Sequence, residues 1–299
     1  CIRDRYTTAP VSEWLGSHVY AALGIPVHET VLGIRDGRIV CACRDFTFPD
    51  SRLVNFHDLK NSLSDDEPGF TEDASTGSGV VLADVRSAIH RIPVLRSIDG
   101  VSDRFWDMFV VDAFIRNIDR NNTNWGVLRN PRGEFSLAPV YDNGNSFNNK
   151  RTESGIERRL ANPDLIRQDA LDVRSCYVTD RGKPIAPLKY LASGQDEECT
   201  KALDRFMERY DPRSFHDLLD SIPSMSHGLT VVPDGFHEYH RRVCDYRYEH
   251  AFMEAWRELH PTVGFPSSPE ASVPEPLPDP DPSVLPSSSV PTCFDGPGM

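Results

Sequence analysis

Asn117-Ile118-Asp119-Arg120-Asn121-Asn122-Thr123-Asn124 is followed by Tyr141-Asp142-Asn143-Gly144, and the relation between these two stretches decides how the chain is read. Taken singly, each is a polar turn, because Asn, Asp and Gly dominate turns. Taken in order, they give an Asp with an Asn five residues on, then a second Asp ahead of Asn-Gly. Phosphoryl transfer from a nucleotide asks for this arrangement. One carboxylate orients the attacking hydroxyl and accepts its proton, while an Asn and a second Asp hold Mg²⁺ against the phosphates. Gly144 permits the backbone turn that aims the second Asp.

The flanking segments place these loops. Asp103 to Ile118 reads as a helix with Phe105, Trp106, Phe109, Val110, Ala113 and Phe114 covering most of its circumference. A helix apolar nearly all round belongs in the centre of a domain. It delivers the polar Asn117–Asn124 segment at its end. Trp125 to Leu128 and Phe135 to Leu137 then form a hairpin about Asn130-Pro131-Arg132-Gly133, which leads directly to Asp142. Upstream, Ser12 to Leu23 is an amphipathic helix with Ser12 or Thr8 at its cap, closed by Gly24 and Pro26. Val27 to Ile34 and Arg38 to Cys43 are strands joined at Asp36-Gly37, a strong hairpin signal. Val80 to Ile92 reads as a helix, and residues 200 to 260 as helical, with Phe206, Met207, Phe215, Leu218, Leu219, Phe252, Met253 and Trp256 in the core.

Composition removes several classes of function. The 299 residues carry a net charge of −13, which disfavours nucleic acid or an anionic membrane as the main partner. No apolar run is long enough to span a bilayer and no signal segment opens the chain, so the expected compartment is cytoplasmic. The seven cysteines are scattered, without a paired C-x-x-C pattern. Cys41 and Cys43 alternate with Ala42 and so share one strand face, and they read as reduced thiols because no His or Cys clusters near them in sequence. Residues 61 to 79 are acidic, then Gly/Ser/Thr-rich, and read as a loop. Thr76-Gly77-Ser78-Gly79 lacks the Lys of a phosphate-binding P-loop. From Pro266 to Met299, ten of 34 residues are Pro, a composition that cannot bury enough surface to order itself.

Asn117-Ile118-Asp119 with Asn124, the run Leu137-Ala138-Pro139-Val140-Tyr141-Asp142, and Leu23-Gly24-Ile25-Pro26 through Asp45-Phe46 together resemble the HipA-like serine/threonine kinases, most of all their small CtkA-type branch. The resemblance covers roughly residues 8 to 150. It implies an α+β, bilobal protein-kinase-like fold and phosphorylation of protein Ser or Thr with ATP and Mg²⁺ as cofactors. Residues 1–46 would be the remainder of the N-terminal lobe, 47–262 the mostly helical C-terminal lobe, and 263–299 a Pro-rich disordered tail. By position, Asp119 is the catalytic base and Asn124 and Asp142 are the Mg²⁺ ligands. Glu13, on the first helix, and Cys43, Asp45 and Phe46, at the hinge that meets adenine, are the candidate nucleotide-binding residues. The implied partner is a Ser/Thr acceptor protein, the chain itself included through autophosphorylation. Kinases of this family can also belong to toxin–antitoxin modules, which makes an antitoxin-type protein a further expected partner.

One departure stands out. The family carries an ATP-binding Lys on a strand before the first helix, yet no Lys precedes Lys60 here. Either the N-terminal lobe is truncated, or the chain is a degenerate kinase acting as a binding module. A third reading is a phosphatidylinositol 4-kinase-like lipid kinase, which shares the Asp-Arg and Asp-Asn-Gly signatures. The acidic balance weighs against that reading.

Overall fold

The computed structural model describes residues 7–64 and 79–261. The Pro-rich segment and residues 65–78 of the stretch read as a loop lie outside the described residues, and residues 61–64 of that stretch are helical instead. The chain opens with α1 (Ala9–Ala22), the antiparallel hairpin β1 (Thr30–Arg35) and β2 (Arg38–Cys43), then β3 (Arg52–Asn55) and α2 (Phe56–Ser64). Next come β4 (Val80–Val81), α3 (Leu82–Arg91), α4 (Pro93–Arg96) and α5 (Val101–Ile115). The hairpin β5 (Gly126–Arg129) and β6 (Phe135–Leu137) follows, then α6 (Glu153–Leu160), α7 (Pro163–Leu171) and β7 (Tyr177–Val178). The remainder is α8 (Pro187–Ser193), α9 (Glu197–Arg209), α10 (Pro212–Asp220), the small hairpin β8 (Met225–Ser226) and β9 (Leu229–Thr230), α11 (Phe236–Arg247), a π-helical turn over Tyr248–Phe252, and α12 (Met253–Leu259). The fold is thus α+β, as expected.

α5 is the axis of the core. Phe105, Trp106, Met108, Phe109, Val110, Val111, Ala113, Phe114 and Ile115 are each at most 2% exposed. Phe114 meets Phe206 of α9 at 5.3 Å and Phe252 at 5.7 Å, edge-on and tilted contacts that aromatic pairs favour. Burying such side chains is worth roughly 1.5–3 kcal/mol each, so this helix anchors the domain. Its end is abrupt: Arg116 takes a left-handed conformation (φ 58°), and the backbone N–H groups of Arg116 and Asn117 both donate to Asp112 O. A non-Gly residue there is strained by about 1 kcal/mol or more. The reward is a sharp exit that turns the chain into the Asn117–Asn124 loop.

The hairpin after that loop is longer by one partner than the sequence suggested. β3 pairs antiparallel with β5, which pairs with β6, giving a three-stranded sheet. Gly126 is required at this junction, because a Cβ would lie 2.3 Å from Val54 O. Several local expectations need correction. α1 starts at Ala9 rather than Ser12, and neither candidate caps it with its side chain. Thr8 Oγ1 and Ser12 Oγ donate instead to Asn149 O and Ser146 O. Val80 and Val81 form a short strand, parallel to β7, before their helix begins. The 200–260 region is interrupted by β8 and β9, since Gly228 allows a tight turn at positive φ. Among the described residues, no helix is long and apolar enough to cross a membrane.

α11 packs its inner face on α6, α7 and α10 and carries a fully buried imidazole, His240, against Phe236 and Phe147. Burial, aided by the Arg247 charge, pushes that imidazole down to about 3. The folded protein therefore holds His240 neutral where the unfolded chain, with an ordinary His near 6.5, binds a proton. Stability is full above about pH 6.5 and is lost as pH falls from there toward 3, by an amount on the order of 5 kcal/mol for this group. Urea unfolding of the wild type and His240→Leu between pH 7 and pH 4 is expected to show a shallower loss of stability in the variant. Parallel curves would place the acid sensitivity elsewhere.

Candidate active site

The loop after α5 is held by its own side chains. Asn117 Oδ1 accepts from Asp119 N (3.2 Å), and Asn124 Nδ2 donates to Asp119 O (2.8 Å). Each carboxylate oxygen of Asp119 receives one amide: Oδ1 from Asn121 Nδ2 (3.1 Å) and Oδ2 from Asn145 Nδ2 (2.8 Å). Asn145 comes from the loop that begins at Asp142. Asp119 is therefore oriented from both stretches singled out in the sequence. Asn124 lies buried behind it, its amide nitrogen already committed and its Oδ1 accepting from Thr123 Oγ1 at 3.2 Å.

The two stretches are joined by a side chain that the motif does not name. Arg120 is 1% exposed and ion-paired with Asp112 of α5. Its Nε and Nη2 donate to the two Asp112 oxygens at 2.9 and 3.3 Å. Nη1 donates to Asn124 O at 2.9 Å and also to Tyr141 O, and Nη2 donates to Asn143 Oδ1 at 2.5 Å. Tyr20 OH from α1 completes the Asp112 shell at 2.8 Å. Burial by itself would lower the guanidinium's pKa, but Asp112 more than offsets this, and Arg120 stays charged. The carbonyl of Arg120 is used as well, accepting from Tyr177 OH at 3.2 Å. Asp112, the one charged residue in the apolar stretch Met108–Ile115 of α5, is the sequence signal for such a partner, since a buried carboxylate requires one.

α1 and the segment after it clasp the Asp142 loop from the other side. Gly16 is where they touch: a Cβ there would lie 2.8 Å from Asn143 Cβ. Asn143 Nδ2 donates to Ser17 Oγ (3.0 Å), Thr8 N donates to Asn149 O (2.7 Å), and His28 N donates to Val140 O (2.9 Å). Glu13 is a half-buried structural acid, paired with His28 Nε2 at 2.8 Å. Burial would raise its carboxyl, but the bonds from His28 and from the Asn143 backbone outweigh that and hold it below the ordinary range. Asp142 itself has φ 58° and faces the solvent side. Partial burial pushes its carboxyl up; Arg120 pulls it down, and the charges of Glu13 and Asp119 push it up again. Three carboxylates thus repel one another around a cleft whose nearby guanidinium is wholly engaged. A cation suits that balance.

The hinge candidates divide. Phe46 is half-buried with its ring 5.6 Å from Tyr141, beside Asp142. Cys43 is exposed, and partial burial followed by the Glu13 charge pushes its thiol up. Asp45 is spent locally: its Oδ1 accepts from Thr47 N (2.8 Å) and Thr47 Oγ1 (2.6 Å), capping its own turn. The structure therefore brings Asp119, Asn124, Asp142 and Glu13 together, with Cys43 and Phe46 at the margin and Asp45 turned to its own loop. Arg120, Asn145 and His28 belong to the site and were not picked out by the motif.

No protein-family model matches the chain. The serine/threonine-protein kinase CtkA of Helicobacter pylori (strain J99) is 33% identical over 223 residues, which are 74% of this chain and 66% of that protein. The chain thus spans just under two thirds of its relative's length. The crystal structure of a Helicobacter pylori proinflammatory kinase CtkA superposes with a TM-score of 0.76 at 29% identity, covering 86% of this chain and 89% of that one. A Shewanella oneidensis HipA, solved with HipB and operator DNA, gives a TM-score of 0.45 at 12% identity over 85% of this chain and 58% of its own, too weak a likeness to argue from. By sequence over 74% of its length and by fold over most of it, the chain is a relative of the serine/threonine-protein kinase CtkA.

Proposed function

We propose that this chain is the catalytic core of an ATP- and Mg²⁺-dependent protein serine/threonine kinase. The observation that carries this reading is the convergence on Arg120. One guanidinium binds Asn124 O, Tyr141 O and Asn143 Oδ1, so the Asp119–Asn124 loop and the Asp142 loop are fixed on one frame. Asp119 accepts the proton of a Ser or Thr hydroxyl as that oxygen bonds to the γ-phosphorus. The bond from the γ-phosphorus to the β–γ bridging oxygen breaks, and ADP leaves. Asn124 Oδ1 and Asp142 would hold Mg²⁺, which when bound would supply neutralisation of phosphate charge. The acceptor is a protein hydroxyl, the chain's own included, and an antitoxin-type protein is a second partner class. In domain terms, the helix and hairpin up to residue 46 would belong to the N-terminal lobe, with the hinge near 43–46, and 47–262 to the catalytic lobe.

A second reading rests on a specific observation: no Lys lies among residues 1–59, and Lys60 is fully buried in α2 with Nζ 4.0 Å from Asp84 Oδ2. A kinase-like site whose phosphates no Lys reaches would act as a nucleotide-binding module. Incubation of the wild type with labelled ATP and protein or lipid acceptors separates the readings. Label in protein is expected; label in lipid alone identifies a lipid kinase, and nucleotide binding with no transfer identifies a degenerate one.

Two variant sets test the residue roles. Asp119→Ala is expected to lower transfer by roughly 10²–10⁴-fold while nucleotide affinity stays within a few-fold, and Asp142→Ala to abolish Mg²⁺-ATP turnover. Undiminished transfer in Asp119→Ala would show that another group is the base. Arg120→Lys keeps the charge but replaces five fixed donors with three. Thermal unfolding is expected to show destabilisation of about 3 kcal/mol or more, with transfer lost in the folded fraction. Wild-type stability and activity in that variant would mean that the two loops are held by other contacts.

A further inference from the structure

Glu13, His28 and Cys43 come from three separate elements, and the fold brings their ligand atoms within 4.8 Å of one another. Glu13 projects from α1, His28 from the segment bridged to Val140, and Cys43 ends β2. Cys41 stands two residues back on the same strand face. Sequence spacing alone gave these thiols no metal-binding company; the fold supplies it from residues 13 and 28. His28 is 7% exposed, whereas Cys43 is exposed, so the cluster has a solid floor and an open mouth.

We propose that Glu13, His28 and Cys43 form a binding site for a borderline-soft divalent transition metal, with Zn²⁺ the best fit. A carboxylate, an imidazole and a thiolate make a mixed O, N, S donor set, which suits Zn²⁺ and discriminates against Mg²⁺. Two of the three ligands are anionic, so the site neutralises a divalent ion. The charge of Asp142 also reaches Cys43. Tetrahedral ligands at about 2.0–2.3 Å from Zn²⁺ stand roughly 3.5 Å apart, so closure needs a shift of about 1 Å at the widest pair. The present 2.8 Å contact of Glu13 with His28 Nε2 opens out as the metal takes the place of the shared proton. That proton moves to Nδ1 as the imidazole changes tautomer, and the Cys43 thiol proton leaves to solvent, one per ion bound. Water fills the fourth position. Such an ion ties α1, the residue-28 segment and β2 into one unit. Its existence does not depend on the phosphotransfer reading, because it is measured without nucleotide.

The test is titration of the full chain with Co²⁺ in the absence of ATP. One equivalent is expected to bind with a thiolate charge-transfer band and tetrahedral ligand-field bands, both removed by Zn²⁺. Cys43→Ser is expected to abolish the charge-transfer band, and His28→Gln to weaken binding at least roughly tenfold. Circular dichroism checks that each variant is folded. In the wild type, Zn²⁺ is expected to protect Cys43 from alkylation, mapped by mass spectrometry, so the site is also tested without any substitution. No thiolate band, a band unchanged in Cys43→Ser, a band lost instead in Cys1→Ser or Cys293→Ser, or alkylation of Cys43 undiminished by Zn²⁺ would each overturn the proposal.

Discussion

The buried ion pair of Arg120 with Asp112 is the constraint around which this domain is arranged. An isolated charge in the core is prohibitive, so each partner must be matched and every remaining lone pair and N–H satisfied. Here the matching is complete. All five donors of the guanidinium are used: two on Asp112 and one each on Asn124 O, Tyr141 O and Asn143 Oδ1. Asp112 is fixed on the most deeply buried of the described helices, so the rigidity of the apolar core passes through one side chain to both polar loops, the second of which Phe147 also pins to the core.

Those loops contain conformations that no loop adopts unaided. Arg116, Asp142, Phe147 and Asn148 all have positive φ, near 50–58°. Each is disfavoured for a residue with a Cβ, and such strain persists where the surroundings over-determine it. α1 provides that surrounding structure. Its small residues Gly16 and Ser17 let the Asn143 side chain lie flat on the helix, while Ser12 and Thr8 take up carbonyls farther along the loop. The first helix is thus as much a part of the site as the motif residues, although it supplies a structural carboxylate at Glu13 rather than a solvated one.

What was legible in the sequence follows from this architecture. The apolar circumference of α5 and the Asp36-Gly37 turn are local properties, and each reads correctly because a run of side chains or a turn residue dictates it. The misreadings have non-local causes. Ser12 and Thr8 look like helix caps, but distant carbonyls compete for their hydroxyls. Val80 and Val81 read as helix, and become a strand only because Tyr177 and Val178 lie beside them. Asp45, by contrast, is engaged by a residue close in sequence, Thr47, two positions on. His28 has no neighbour in sequence that marks it, and its role appears only when the chain doubles back between α1 and Val140.

The charge balance of the cleft sets a limit on how phosphate can be held. Arg120 is the obvious cation next to Asp142, but with all five donors committed it has none to offer a phosphate oxygen, and with 1% exposure it has no path to one. Releasing any one bond would leave a buried carbonyl or carboxylate unmatched, a penalty of about 1–3 kcal/mol that a surface phosphate contact does not recover. Glu13, Asp119 and Asp142 meanwhile present negative charge to one another. A triphosphate brought to this cleft adds more of the same sign. Its binding therefore depends on cations that are not side chains of these loops. Asp142, whose carboxylate is pushed upward by partial burial and then by its acidic neighbours, is the position where such a cation brings the greatest electrostatic relief.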